Sequence, residues 1–299
     1  MNIAPKKEKQ TSLRVKKPME LMDFLKIHFN GKSNTALKAL LSRKQVWVNG
    51  KNISQHNFLL HTEDQVVINV AVGIYEFHHS KVKIVFEDEF ILVIEKTEGL
   101  LTVATDGRRD ELTAYSILYD YLQQTAPHRR LHIVHRIDRD TSGLLLFAKN
   151  KETQLALQDH WHDNVIERTY VAVVEGVPDK EEDTIVSYLR ESKAFKIHSG
   201  HKAREGKKAI THYQMIGKND QFAMLKVELE TGKKNQIRVH LQDIGHPIVG
   251  DRKYGATSSP IGRLGLHAQV LSFVHPVTRE EMHFETPIPK KFCDLFSNR

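Results

Sequence analysis

Residues 131–148 constrain the fold more than any other stretch of the chain. Two apolar runs, LHIV (131–134) and GLLLFA (143–148), enclose His135, Arg136, Asp138, Arg139, Asp140, Thr141 and Ser142. The second run reads as a buried strand, so a charged loop must abut a core. Loops held by a rigid scaffold are where catalytic groups concentrate. Arg136 and Arg139 flank Asp138 and are expected to keep its carboxylate ionised, available as nucleophile or base. The same residues would suit a structural Arg–Asp network capping a turn equally well.

The chain has 299 residues, enough for one large domain or two smaller ones. Hydrophobic residues make up 40% and charged residues 27%, a globular composition. No apolar run approaches the roughly 18 residues a membrane span needs. The N-terminal MNIAPKKEKQTSLRVKK lacks the apolar stretch of a signal peptide, so no membrane association and a cytoplasmic location are expected. Cys293 is the sole cysteine, which excludes an internal disulfide framework and a thiolate-built zinc site.

The net charge is +7, which suggests a polyanionic partner. Its distribution is uneven. Residues 1–17 set Lys6, Lys7, Lys9, Arg14, Lys16 and Lys17 against Glu8 and are expected to form a basic disordered tail. A second basic patch is RESKAFKIHSGHKAREGKK (190–208), and an acidic stretch over 73–127 separates the two. Such a patch would also serve as an ordinary solvated face.

Residues 18–72 have the texture of a small module. Leu21, Phe24, Leu25 and Phe29 recur at helix spacing, Gly31 with Ser33 and Asn34 marks a break and an N-cap, and Ala36, Leu37, Leu40 and Leu41 share the face of a second helix. VWVNGKNI then carries an Asn49–Gly50 hairpin signal, followed by DQVVINV. Residues 73–82 read as a linker. From 83 to 299 the chain is strand-rich, with helical patterns at 111–124 and 151–161. The strands do not alternate regularly with helices, which points to an α+β domain with a mixed, mostly antiparallel central sheet and flanking helices.

A second dense segment is ETGKKNQIRVHLQDIGHPIVGDRKYG (230–255). QIRVHLQDIG reads as the start of a helix carrying Arg238 beside Val239 and Leu241. A buried arginine requires a carboxylate partner or an anionic ligand. Lys233, Lys234 and Arg238 would contact phosphate or pair with an acid.

Together these segments resemble the RluA family of RNA pseudouridine synthases. HRIDRDTSG fits that family's HR-hydrophobic-D-x-x-T-S/T-G signature, and TGKKNQIRVHLQDIGHPIVGDRKYG fits its TG-x-x-x-Q-hydrophobic-R-V-H and GHP-x-x-GD-x-x-YG blocks. FEDEFILVIEKTEGL, ERTYVAVVEG and LGLHAQVLSFVHPVTREEMHFETPIPKKF extend the likeness over about 83–292. SNTALKALLSRKQVWVNGKNI in turn resembles the alpha-L (S-four-type) RNA-binding module, in which Lys32, Lys38, Arg43, Lys44 and Lys51 would face RNA.

The resemblance implies a pseudouridine synthase fold and the isomerisation of specific uridines in structured RNA. It places the catalytic aspartate on Asp138, the active-site tyrosine on Tyr170 and the motif arginine on Arg238, with no cofactor, no metal and no obligate protein partner. Arg136, Arg139, Lys207, Lys208, Lys233 and Lys234 are the further candidates for RNA contact. A carboxylate suits the chemistry, attacking either the sugar or the pyrimidine ring, and the target base must leave its stack to be reached. Thr97, Glu98, Ile137, Arg168 and Asn235 depart from the family pattern. The histidines form neither HExxH nor a Cys/His array. Large-subunit ribosomal RNA is the first expectation for the substrate and transfer RNA the second; a non-catalytic RNA-binding or ribosome-assembly protein is the competing class.

Overall fold

The seven residues of Ser142–Ala148 are all buried, and the larger of two structural units is built around them. The computed structural model describes residues 10–29, 37–38, 40–41, 45–69, 77–104, 111–125, 129–159, 161 and 165–297. The chain divides into units 1–76 and 77–299, a boundary that falls within the expected linker.

In the first unit, β1 (Gln10–Arg14) precedes β2 (Met19–Glu20) and α1 (Leu21–His28). β3 (Val46–Val48), β4 (Lys51–Asn52), β5 (Leu59–Leu60) and β6 (Gln65–Asn69) follow. Asn49 and Gly50 both hold positive φ, the geometry that joins β3 to β4 in a tight hairpin. Leu21, Phe24 and Leu25 of α1 pack with Leu37 and Leu41, as their helical spacing requires. The expectation of a disordered tail over 1–17 is corrected for residues 10–17 by β1, and residues 1–9 lie outside the described residues. β1 pairs antiparallel with β6 from Gln10↔Asn69 to Arg14↔Gln65, and Val15 is buried in the core. Pairing with a strand some 55 residues away supplies the order that the local composition does not. The break and N-cap at Gly31, Ser33 and Asn34 lie outside the described residues.

The second unit runs β7 (Val82–Glu87), β8 (Ile91–Lys96), α2 (Ala114–Thr125), β9 (His132–Ile133), β10 (Ser142–Ala148) and α3 (Lys151–Asp159). β11 (Val165–Glu175), β12 (Glu182–Glu191), β13 (Ile197–Gly200), β14 (Lys207–Lys218) and β15 (Phe222–Leu229) come next. α4 (Gln236–Asp243), β16 (Leu266–Val274), β17 (Glu281–Glu285) and α5 (Lys290–Asp294) complete it. The main sheet runs β13-β12-β14-β15-β11-β16-β10-β8-β7, with β17 on β16 and β9 on β10. Its pairs are antiparallel except β10 with β16, so the α+β class with a mixed sheet holds. Residues 77–81, expected as linker, belong here: Phe77 packs against the core under α2, and Thr97 N–H donates to the Lys81 carbonyl.

The period-2 alternation of β8 and β10 divides the core between two faces. Leu92, Ile94, Leu145 and Phe147 meet α2, while Ile91, Val93, Leu144 and Leu146 meet Leu157 of α3 and Phe273. At the head of β10, Gly143 has φ +113, and a Cβ there would lie 2.1 Å from the Ala268 carbonyl oxygen. Only glycine lets β10 and β16 approach this closely. That parallel contact fixes where the 135–142 loop leaves the sheet.

Two buried histidines tie the layers. His267 bridges the hydroxyls of Ser142 and Thr286 at 2.8 and 2.9 Å. His240 bridges Ser187 and Thr211, both at 2.9 Å. Burial lowers the pKa of each to about 4. The unfolded chain takes up these protons near pH 6.5 and the folded chain only near pH 4, so stability falls as pH drops between those values. The expected slope from these two groups is about 2.4 kcal/mol per pH unit near pH 5, read by urea unfolding at pH 7, 6 and 5. Equal stability at pH 7 and pH 5 would contradict the neutral buried state.

Candidate active site

Asp138 sits in the loop between β9 and β10, where Thr141 N–H donates to its carbonyl at 3.3 Å and closes a turn. Thr102 anchors the same loop, its hydroxyl donating to the Ile137 carbonyl at 2.9 Å. The fully buried Lys96 anchors it again, its ammonium donating to the carbonyls of Thr97, Leu100 and Arg139 at 2.9, 2.7 and 2.9 Å. Burial pulls the Lys96 pKa down to about 7, against the attraction of Asp140. His135 accepts from Leu146 N–H at 3.0 Å, and burial lowers its pKa to about 3, so it acts as a neutral acceptor. The backbone carrying Asp138 is thus fastened by partners from three segments.

Arg238, on the first turns of α4, closes the site. Its Nε and Nη2 donate to the two oxygens of Asp251 at 2.6 and 2.8 Å, and its Nη1 donates to Asp138 Oδ2 at 3.0 Å. Asp251 is 2% exposed, so this bidentate pair is a buried one. Burial would lower the Arg238 pKa, but the bonds to Asp251 and Asp138 outweigh it and the guanidinium stays charged. Tyr254 supports it from below, with the guanidinium 5.0 Å from its ring centroid.

Asp138 Oδ2 also accepts from Asn235 Nδ2. Asn235 holds φ +54, a left-handed position that asparagine tolerates better than most residues, and its Oδ1 accepts from the Tyr254 hydroxyl at 3.1 Å. Both donors to Asp138 therefore engage one oxygen. Oδ1 has no hydrogen-bond donor among the described residues, and Asp138 lines a cavity of about 60 Å³. Arg136, Thr141, Tyr170, Leu229, Lys233 and Leu266 line it too. Burial raises the Tyr170 pKa, with Arg168 opposing and Asp138 reinforcing, so its phenol stays neutral. Larger depressions of about 380 and 410 Å³ lie elsewhere, but Glu182, Asp183 and Glu228 or Glu167 and Glu230 line them.

Of the residues singled out from sequence, Asp138, Arg238, Tyr170, Arg136 and Lys233 converge on this cavity. Arg139 does not flank the Asp138 carboxylate, which corrects the expectation that it holds the charge there. The turn sends its guanidinium away to Glu111 at 2.6 Å. Lys234 pairs with Glu191, and Lys207 and Lys208 are exposed at the start of β14, outside the cavity lining. Lys38 and Lys51 are exposed in the first unit, while Lys32, Arg43 and Lys44 lie outside the described residues. Sequence reasoning missed Asp251, Asn235, Tyr254 and Lys96 as parts of the site. The signal for Asp251 was present, since a buried arginine needs an acid and GDRKYG supplies one.

A carboxylate held by a buried arginine at a cavity with a tyrosine wall and a basic rim defines an enzyme site for an anionic substrate. The sequence model of the RNA pseudouridylate synthase family matches residues 90–243. An uncharacterized RNA pseudouridine synthase of Mycoplasma pneumoniae is 35% identical over 264 residues, 85% of this chain and 84% of its own. The ribosomal large subunit pseudouridine synthase D of Zymomonas mobilis is 34% identical over 72% of this chain and 71% of its own. Among solved structures, human RNA pseudouridylate synthase domain containing 1 matches with TM-score 0.56 and 26% identity, over 70% of this chain and 84% of that one. The chain belongs to the RNA pseudouridylate synthase family.

Replacing Asp251 with alanine leaves Arg238 without its main counter-charge. The expected loss is about 3 kcal/mol of unfolding free energy in urea, because a buried charge is left uncompensated. Unchanged stability would show that Asp251 does not carry the guanidinium.

Proposed function

We propose that this RNA pseudouridine synthase is of the RluA type and acts on uridines of large-subunit ribosomal RNA in the cytoplasm, with Asp138 as nucleophile. The Oδ1 of Asp138, which meets no donor among the described residues, carries this reading. Arg238 and Asn235 hold Oδ2 of a carboxylate that lines the cavity, and among the described residues no donor engages its other oxygen. A carboxylate so placed can form a covalent bond to the nucleoside while the base is turned. Breaking the ribose–nitrogen bond and rejoining through carbon 5 needs the uracil out of its stack. Tyr170 offers that uracil an aromatic wall and a neutral hydroxyl, and Leu229 and Leu266 offer it apolar contact. The carbon-5 proton leaves last, to a group or water at the cavity mouth.

The ribosomal assignment is supported by the Zymomonas relative, whose name specifies the large subunit. The first unit, with α1, the buried Leu37 and Leu41 and the β3–β4 hairpin, fits an alpha-L RNA-binding module, with Lys38 and Lys51 as exposed bases for phosphate. No helix among the described residues is long and apolar enough to cross a membrane.

The test uses RNA transcripts tritiated at uridine carbon 5. Wild type should release tritium from large-subunit ribosomal RNA, and Asp138→Asn should release at least about a thousandfold less with an unchanged melting temperature, since Arg238 keeps Asp251. Release only from transfer RNA would move the substrate to that class. An Asp138→Asn protein within tenfold of wild type would sink the assignment of the nucleophile.

A further inference from the structure

The turn joining β12 to β13 presents an aromatic ring that the fold leaves unused. Phe195 is 72% exposed, more than any other large hydrophobic residue among those described. It also holds φ +56, a left-handed conformation that a bulky residue rarely adopts. The surroundings lock that conformation. Ser192 and Phe195 exchange a close turn, with Phe195 N–H donating to the Ser192 carbonyl and Ser192 N–H to the Lys196 carbonyl, both at 2.9 Å. Lys253 Nζ donates to the Phe195 carbonyl at 3.0 Å. Strained backbone persists only where its neighbours over-determine it, and here they hold an apolar ring in water.

The ring stands among cations. Lys234 lies 5.8 Å over its centroid, and Lys196 and Lys253 lie 5.6 and 5.5 Å over the ring of Tyr254. Lys234 is paired with Glu191, and Arg238 with Asp138 and Asp251. Among the described residues, no carboxylate pairs with Lys196 or Lys253. Burial, then the neighbouring Arg238 and Lys234, hold the Lys253 pKa below its ordinary value, with Asp138 and Asp251 opposing. Lys234 directly precedes Asn235, which bonds Asp138, and Lys253 directly precedes Tyr254, which bonds Asn235. The platform and the reactive carboxylate are therefore held by the same two segments.

We propose that Phe195 is a stacking platform for an unpaired base flanking the target uridine, with Lys196 and Lys253 holding the phosphate between that base and the one in the cavity. Every base has a π-face, and an aromatic ring rimmed with lysines suits single-stranded nucleic acid. An apolar protein partner would instead meet charged neighbours, Lys234 with its Glu191 partner and Lys253. This rests on the synthase reading, and deepens it by placing the flanking nucleotide.

The test measures filter binding of a large-subunit ribosomal RNA transcript and, separately, tritium release. Phe195→Ala should weaken binding roughly tenfold with an unchanged salt slope, whereas Lys253→Ala should reduce that slope by about one. Phe195→Trp should stay within about threefold of wild type, and Phe195→Leu should behave as the alanine variant. Wild-type affinity in Phe195→Ala overturns the platform, and wild-type affinity in Phe195→Leu replaces stacking with plain apolar contact. If wild type releases no tritium while Phe195→Ala still loses affinity, the synthase reading falls and the platform stands.

Discussion

The site depends on one guanidinium shared between two carboxylates. Asp251 takes the Nε edge of Arg238 in a buried fork, and Asp138 takes the remaining Nη1. The fork fixes the plane of the guanidinium, so the position of Nη1, and with it Asp138 Oδ2, follows from the packing of α4. A single Arg–Asp pair would satisfy the charges but leave that plane free. Lysine could not replace it, because an ammonium offers no rigid fork. Burying Asp251 and most of Arg238, beside a partly exposed Asp138, is tolerated because the guanidinium donates to both carboxylates and because Tyr254 covers it.

The remainder of the second unit brings these partners together. Asp138 reaches the site from β10, whose parallel contact with β16 requires Gly143, while Arg238 and Asp251 arrive from after β15. The departures from the family pattern fit this frame. Glu98 meets Arg263 at 2.8 Å, and Arg263 in turn donates to the Ser142 hydroxyl at 2.7 Å, so the 98 position is tied to the head of β10. Arg168 lies 5.6 Å over Trp161 and crowds Gly232, where a Cβ would be 2.6 Å from its Nη1. Asn235 supplies both a donor to Asp138 and an acceptor to Tyr254, which a single amide can do at once.

The sequence made β10 legible because GLLLFA permits no solvent-facing side; α4 was harder, since Ile237 and Leu241 share one face of the helix while Val239 packs in a separate cluster. Asp138, Tyr170 and Arg238 were legible through motif spacing. The partners were harder. Arg139 is adjacent to Asp138 in sequence yet pairs with Glu111, because side-chain direction through a turn is not encoded by adjacency. β1 was hidden for a related reason: a polar, basic segment becomes a strand only when β6 offers an edge. Asp251 was visible as a residue, but its pairing with Arg238 required the path of the loop between α4 and β16. Phe195 carried no sequence signal, since its exposure and left-handed backbone arise from the turn.

The Arg238 fork presents Asp138. The most direct measurement of this is the single-turnover rate of Arg238→Lys on saturating RNA, with urea stability measured alongside. The variant keeps the positive charge and loses the fork. The variant should fold, bind RNA with affinity near wild type and react at least about a hundredfold more slowly. A lysine variant reacting at the wild-type rate would contradict this role of the fork.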